Sequence, residues 1–199
     1  MLGAGVPLGI LSGYHGGRAD SVLVSAMDAL STFPALLLAI TLMGMLGPGR
    51  ASTVAAIFVV FVPQYFPMAR GHAQLTRGEQ YVEAAVAEGA PKHVILWRHV
   101  LPNGIPLLAP LVASNMAQAI LVHASLSFLG LGTTPPAPNP GYEVSQAQLY
   151  MADGAWWWGV FPGLAIVVII AGFSLLAEGL AELADPVLQR GHGGEPSAS

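Results

Sequence analysis

Catalysis and ligand binding need charged, nucleophilic or metal-binding side chains at useful spacings, and in this 199-residue chain such side chains are few and clustered. Arg77, Glu79, Glu83, Glu88, Lys92 and Arg98, a third of all acidic and basic residues, fall in the single stretch RGEQYVEAAVAEGAPKHVILWRHVLPN. The absence of cysteine excludes a disulfide framework, a thiolate nucleophile and a thiolate metal site. The six histidines are scattered, and there is no HExxH, no GxSxG and no acidic pair inside an apolar segment. A phosphate-cradling loop sets glycines ahead of Lys and Ser or Thr, whereas Lys92 stands in GAPKHV, so the chain does not bind ATP by that route. Glu178 and Glu182 are four residues apart and repel as like charges; they are expected to face water or a cationic partner rather than form a catalytic pair.

The elements that position these residues are apolar. Only 9% of residues are charged, against about 25% in a typical soluble domain, while 54% are hydrophobic. An integral membrane protein follows, and the small net charge of −4 suggests no nucleic-acid partner. The opening MLGAGVPLGILSGY lacks a basic leader and a small-residue cleavage site, so it does not read as a signal peptide. Roughly 20 apolar residues cross a bilayer as a helix. Four segments are long enough: Ser21 to Leu46 with Pro34 inside, Ala51 to Met68 with Pro63 inside, Pro102 to Leu131, and Val160 to Ala184. Prolines in such helices point to bundled spans, where neighbours satisfy the freed carbonyls. Residues 2–14 are too few to cross and read as the exit end of a further span. The expected fold is therefore an all-α polytopic membrane helix bundle with four full spans plus a partial first one.

Basic residues set the expected orientation. With residues 16–20, 70–98 and the C-terminus on one side, Arg18, Arg70, Arg77, Lys92, Arg98 and Arg190 share that side and Arg50 lies opposite. The positive-inside bias makes the richer side cytoplasmic. The long loop TTPPAPNPGYEVSQAQLYMADGAWWW then faces outward, with Trp156, Trp157 and Trp158 at the interface where it re-enters the bilayer. Prolines from Pro135 to Pro140 are expected to exclude regular structure there, and residues 191–199 read as a disordered tail.

Within the charged stretch the pattern is helical. Gly78 and Glu79 open a short helix whose early acidic residues suit its dipole. Tyr81, Ala84, Ala85 and Glu88 are spaced for one face, Glu79 and Glu83 for another. Gly89 fits the left-handed residue after a helix end, and Pro91 can begin a second helix from Lys92 to Val100, leading to LPN and the next span.

EAAVAEGAPKHVILWRHVLP resembles the signature loop of permease subunits of binding-protein-dependent ABC importers, with Glu83, Ala84, Ala85, Gly89, Leu101 and Pro102 at the motif positions and His99 where many members carry Ile. GVPLGILSGYHGG, DALSTFPALLLAI, GPG, LSFLGLGTTPPAP and FPGLAIVVIIAGFSLLAEGLAELADPVLQR resemble the dipeptide, oligopeptide and nickel branch in the same order. The resemblance implies a type-1 transmembrane domain over residues 1–190, without its first span and large external loop, and an ATPase-coupling loop over residues 69–101. It implies an inner- or plasma-membrane subunit of a bacterium or archaeon. The implied partners are a second homologous permease subunit, cytoplasmic ATP-binding subunits, an extracytoplasmic substrate-binding protein and the lipid bilayer. ATP and magnesium would sit on the partner, with no cofactor and no metal on this chain. Glu83, Ala84, Ala85, Gly89, Leu101 and Pro102 would couple ATPase movement to the spans without doing chemistry, with Tyr81 and Val82 adding to an apolar, close-fitting side.

Inside the spans, polar residues draw notice because an unpaired polar side chain in hydrocarbon is costly. On the Pro102–Leu131 segment, Ala113, Ala117, Ala124 and Ser127 share a face that permits close helix approach. Asn115 and Gln118 point elsewhere, either to a translocation path or to hydrogen bonds between helices. His123 reads as hydrogen-bonded to a neighbouring helix, and Asp28 as structurally paired. The alternatives are a truncated, non-functional permease remnant and, further off, a secondary transporter, channel or intramembrane enzyme. A single cysteine at Glu88 is expected to react with an impermeant thiol reagent only after the cytoplasmic side is opened; reaction on intact cells reverses the orientation.

Overall fold

The computed structural model describes residues 2–133 and 136–184. These form α1 (Leu2–His15), α2 (Gly17–Ser31), α3 (Ala35–Leu46), α4 (Arg50–Thr76), α5 (Gln80–Ala87), α6 (Lys92–Ile95), a π-helical turn (Leu96–Val100), α7 (Leu101–Phe128), α8 (Pro140–Ala147) and α9 (Trp157–Ala184). The fold is all-α. Three helices, α4, α7 and α9, are long and apolar enough to cross a membrane, and α2 with α3 makes a fourth candidate.

The centre of the bundle is α4. Half of its most apolar window is buried, against 6% of that of α9. Ala56, Phe61, Tyr65, Phe66, Ala69 and Ala73 are all at most 2% exposed. Pro63, which is buried, and Pro67, which is exposed, both lie inside this unbroken helix; a membrane helix tolerates proline where neighbouring groups satisfy the freed carbonyls. Against it lies α1, and the reason is written as GVPLGILSG: glycines at 5, 9 and 13 fall on one face. A Cβ at Gly9 would stand 2.6 Å from the Phe66 carbonyl oxygen and 2.8 Å from Ala69 Cβ, and one at Gly5 would stand 2.7 Å from the Val62 oxygen. Without hydrocarbon repulsion from water to drive them together, membrane helices associate by such backbone-to-backbone fit.

A charged clamp closes the same seam. Arg70 on α4 donates Nε–H to Asp20 Oδ1 and Nη2–H to Asp20 Oδ2, both at 2.7 Å, a bidentate pair. Ser12 of α1 donates its hydroxyl to Asp20 Oδ1 at 2.5 Å, so α1, α2 and α4 meet at one carboxylate that is 8% exposed. Asp28, the residue expected to be paired, is exposed, and its carbonyl accepts the Thr32 hydroxyl at 2.9 Å.

The segment Ser21 to Leu46 is not one straight span. It breaks between Ser31 and Ala35 into two helices 93° apart. Pro34 is the cause: its φ of −55° and ψ of 130° are extended, and a proline disfavours helix in the residue before it, here Phe33.

The other organising helix, α7, packs on α9, α8 and α4. Ala113, Ala117 and Ser127 are buried and Ala124 half-buried, which fits the small-residue face read from the sequence. The outer loop is partly regular, contrary to the reading of its prolines: α8 begins at Pro140, whose missing N–H is not needed at a helix's first position. Asn139 caps it, accepting the Tyr142 N–H at 3.4 Å while donating Nδ2–H to Ser127 Oγ at 2.8 Å and to Thr133. This side chain, 2% exposed, latches the loop onto α7. Trp156, Trp157 and Trp158 are each about half exposed at the start of α9, and Glu178 and Glu182 near its other end are exposed too. The expected tail, residues 191–199, lies outside the described residues, as does Arg190.

Substituting Gly9→Leu is expected to part α1 from α4 and destabilise the protein by at least the ~1–3 kcal/mol of ordinary overpacking. Gly3→Leu, whose Cβ meets nothing within 4 Å, should be neutral; thermal unfolding of both in detergent checks the pair. Asp20→Ala strands the Arg70 guanidinium. The same assay should show a loss near the low end of the ~3–5 kcal/mol of a broken buried pair, because Arg70 keeps 28% exposure.

Candidate functional site

The charged stretch includes a short helix that packs one face on the bundle. Glu79 is extended, with φ −77° and ψ 141°, and its carbonyl accepts the Val82 and Glu83 N–H groups at 2.9 and 3.1 Å to start α5. At the far end the Gly89 N–H donates to the Val86 carbonyl and the Ala90 N–H to the Ala85 carbonyl, each at 3.0 Å. That reciprocal pair is the Schellman end, and it needs a left-handed residue; Gly89 has φ +80°. Pro91 is the N-cap of α6, one position ahead of its first turn.

Burial divides the faces of α5. Val82 is 1% exposed and belongs to the hydrophobic core, with Ala85 and Ala90 packed against the same core. The anchoring face is therefore Val82 and Ala85, and Val82 is not part of an outward, partner-facing side. Glu83, Ala84, Val86, Ala87 and Glu88 are exposed. Beneath the helix lies a cleft of about 580 Å³ whose lining includes Tyr14, His15, Arg77, Glu83 and Lys92. Arg77 spans it, donating to the Tyr14 carbonyl at 3.3 Å and lying 5.9 Å from the centre of the Tyr14 ring.

Further hydrogen bonds join the charged stretch to α7 and α4. Asn103 of α7 donates Nδ2–H to the Tyr81 hydroxyl at 3.0 Å. His72 of α4 places Nε2 3.0 Å from the Val100 carbonyl oxygen, in the π-helical turn, and 3.4 Å from Thr76 Oγ1. Close approach there depends on Gly104, where a Cβ would meet the His72 ring at 2.8 Å. The π turn itself, in which the Leu101 N–H reaches the Leu96 carbonyl, stands directly ahead of Pro102, which has no N–H for a regular i−4 bond. Leu101 is half-buried and Pro102 exposed. Sequence reasoning singled out Glu83, Gly89 and Pro102 but not His72, Asn103 or Gly104; LPNG carried a hint in its Asn and Gly, while His72 fell beyond the expected end of its span at Met68, although α4 continues to Thr76.

Mid-span, the two candidate path residues part company. Asn115 is 2% exposed and Gln118 is exposed. Asn115 lies with Tyr65, His123 and Phe173 on a cavity of about 370 Å³ between α4, α7 and α9. Among the described residues no group of three or more His, Asp or Glu is close enough to hold a metal.

The chain resembles known proteins over most of its length. Residues 5–190 match the family described as the binding-protein-dependent transport system inner membrane component. Over 180 residues, 90% of this chain and 60% of the relative, the chain is 39% identical to the probable D,D-dipeptide transport system permease protein of Escherichia coli K12. It is 36% identical over 185 residues to the glutathione transport system permease protein of Pectobacterium atrosepticum, covering 93% of this chain and 61% of that one. With the dipeptide transport system permease protein of Haemophilus influenzae it shares 33% over 186 residues, 94% of this chain and 63% of the other. The chain thus spans about three fifths of the length of these relatives. An all-α bundle of apolar spans carrying a short exposed helix on a glycine-ended turn is the form this family takes here, and the chain belongs to the binding-protein-dependent transport system inner membrane components, the membrane permeases of ABC transporters.

Proposed function

We propose that this chain is a permease subunit of an ATP-driven importer that carries dipeptides, oligopeptides or related small solutes, forming half of the path with a second homologous subunit. A separate cytoplasmic ATPase grips α5, and an extracytoplasmic binding protein delivers the solute. The relatives, a probable D,D-dipeptide, a glutathione and a dipeptide transport system permease protein, support the solute class.

The observation that carries the reading is the mounting of α5. Its outward face offers a carboxylate, Glu83, among small residues, Ala84 and Ala87, so a groove on a partner can approach closely and donate charge-assisted hydrogen bonds. Its inward face is anchored by Val82, and its neighbours reach α7 through Asn103 and α4 through the His72–Val100 contact. Force on α5 then moves two spans rather than bending a loose loop. Gly89 sets the angle between α5 and the rising α6 as a hinge that only glycine adopts without strain. On this reading the charged stretch and the C-terminus are cytoplasmic, and Glu83, Ala84, Ala85, Gly89, Leu101 and Pro102 form the transmission. ATP and magnesium bind the partner.

In the complete importer, Glu83→Lys reverses the charge presented to the ATPase, and Gly89→Val forces a β-branched residue to φ +80°. Both variants are expected to insert at normal levels and to lose at least about tenfold in ATP-dependent uptake, as loss of one charge-assisted contact implies. Uptake equal to the unmodified chain in both variants refutes the assignment.

A further inference from the structure

Asn115 stands near the midpoint of α7, is 2% exposed, and its Nδ2 finds no hydrogen-bond partner among the described residues. The Tyr65 hydroxyl on α4 lies near enough to act on this amide but does not meet hydrogen-bond geometry with that nitrogen, so the donor is left for another acceptor. An amide N–H left without an acceptor costs about 1–3 kcal/mol when buried, and a bilayer interior supplies no water to relieve it. Buried polar groups of this kind are otherwise satisfied, and those within spans mark pathways. This donor lies on the wall of a cavity of about 370 Å³, within the ordinary size range of small-solute sites.

The lining specifies what fits. Asn115 brings N–H donors, the Tyr65 hydroxyl donates or accepts, and the His123 ring adds a nitrogen edge; Met116, Ile120 and Phe173 supply apolar wall. No acidic side chain lines it, so a bare cation has no counter-charge there. The complement is an acceptor oxygen flanked by a modest apolar group. The neighbouring cleft between α1, α7 and α9, about 620 Å³ and lined by Val6, Leu101, Ile105 and Leu176 among other apolar residues, has no amide, hydroxyl or imidazole side chain in its lining, and its one side-chain N–H is the Trp97 indole.

The geometry points to a solute-contact site within the membrane, in which Asn115 donates a hydrogen bond to a main-chain carbonyl or carboxylate oxygen of a peptide-like solute passing α4, α7 and α9. This rests on the permease function proposed above and adds a residue-level contact to it. A phospholipid ester carbonyl presents the same acceptor, so the test separates the two sources.

Because the chain has no cysteine, Asn115→Cys introduces a single thiol. The complete importer, with cysteine-free partners, is assembled in phospholipid nanodiscs and turned over with ATP and binding protein, using alanylalanine as probe. A small methanethiosulfonate reagent is expected to modify Asn115→Cys several-fold more slowly with saturating alanylalanine than without it. Modification of Leu175→Cys, on the exposed side of α9, should not change. Equal rates with and without alanylalanine overturn the site. So does protection that vanishes when lipid is exchanged for detergent in the absence of solute, which assigns the niche to lipid. A crosslink from Asn115→Cys to the second permease subunit, unaffected by alanylalanine, overturns it too. Independently, Asn115→Leu keeps the branched shape but removes the donor, and should lower alanylalanine uptake about tenfold, the effect of one hydrogen bond; unchanged uptake overturns the site. Absence of ATP-dependent uptake by the unmodified chain refutes the permease function itself, whereas intact uptake with an unprotected thiol refutes the contact site alone.

Discussion

Everything else in the bundle depends on how closely α1 lies on α4. Glycines at 5, 9 and 13 remove the side chains that would hold the two backbones apart, and the nearest α4 atoms occupy the space a Cβ would need. In a bilayer this matters more than in water. Apolar area gains little by contact with another helix when lipid is equally apolar, so association rests on fit and on polar bonds that have no other partner. The Ser12–Asp20–Arg70 cluster supplies those bonds at the end of the same seam. With α1 and α2 both fixed to Arg70, α4 becomes the reference against which α3, α7 and the π turn are packed.

From that reference the functional element inherits its stiffness. The exposed α5 would be a mobile lever if it hung on backbone alone. Instead Val82 is sunk in the core, Tyr81 is tied to Asn103, and the start of α7 is held to His72 across a gap that Gly104 keeps open. The π turn ahead of Pro102 interrupts the α-helical hydrogen-bond pattern between α6 and α7, and single π turns of this kind occur frequently at functional sites. An outward face free of core contacts and an inward face packed on the core is the arrangement that the proposed coupling role requires. By contrast α9, almost wholly unburied within this chain, is the peripheral element, suited to lipid and to further subunits.

Several features were legible before any coordinates. Alternating runs of apolar residues and the scarcity of charge give a helical membrane bundle; α7 and α9 fall within three residues of the expected spans, while α4 runs on past Met68 to Thr76. The Gly89 end of α5 was readable because its neighbours are helix formers and only glycine takes φ +80° without strain. The misreadings have definite causes. Pro34 was taken as a tolerated interior proline, but the extended conformation it adopts at a helix N-cap turns Ser21 to Leu46 into two helices. The prolines before α8 were taken to exclude structure, although Pro140 behind an Asn cap is a start signal. Val82 was assigned to a partner-facing side because spacing alone does not say which face of an eight-residue helix meets its own protein.

Local properties are what the sequence by itself determined: which segments are apolar enough to span, where helices begin and end, the family, and the cluster of charge that must lie outside the hydrocarbon. Those follow from energies that each residue contributes with its chain neighbours. Pairings between distant segments were decided only by the tertiary structure. That Arg70 meets Asp20 rather than Asp28, that His72 reaches Val100, and that Asn115 is buried with an unanswered N–H while Gln118 is exposed, all depend on how helices rotate and cross. Those angles are set by the fit of many side chains at once, and no single residue type announces them.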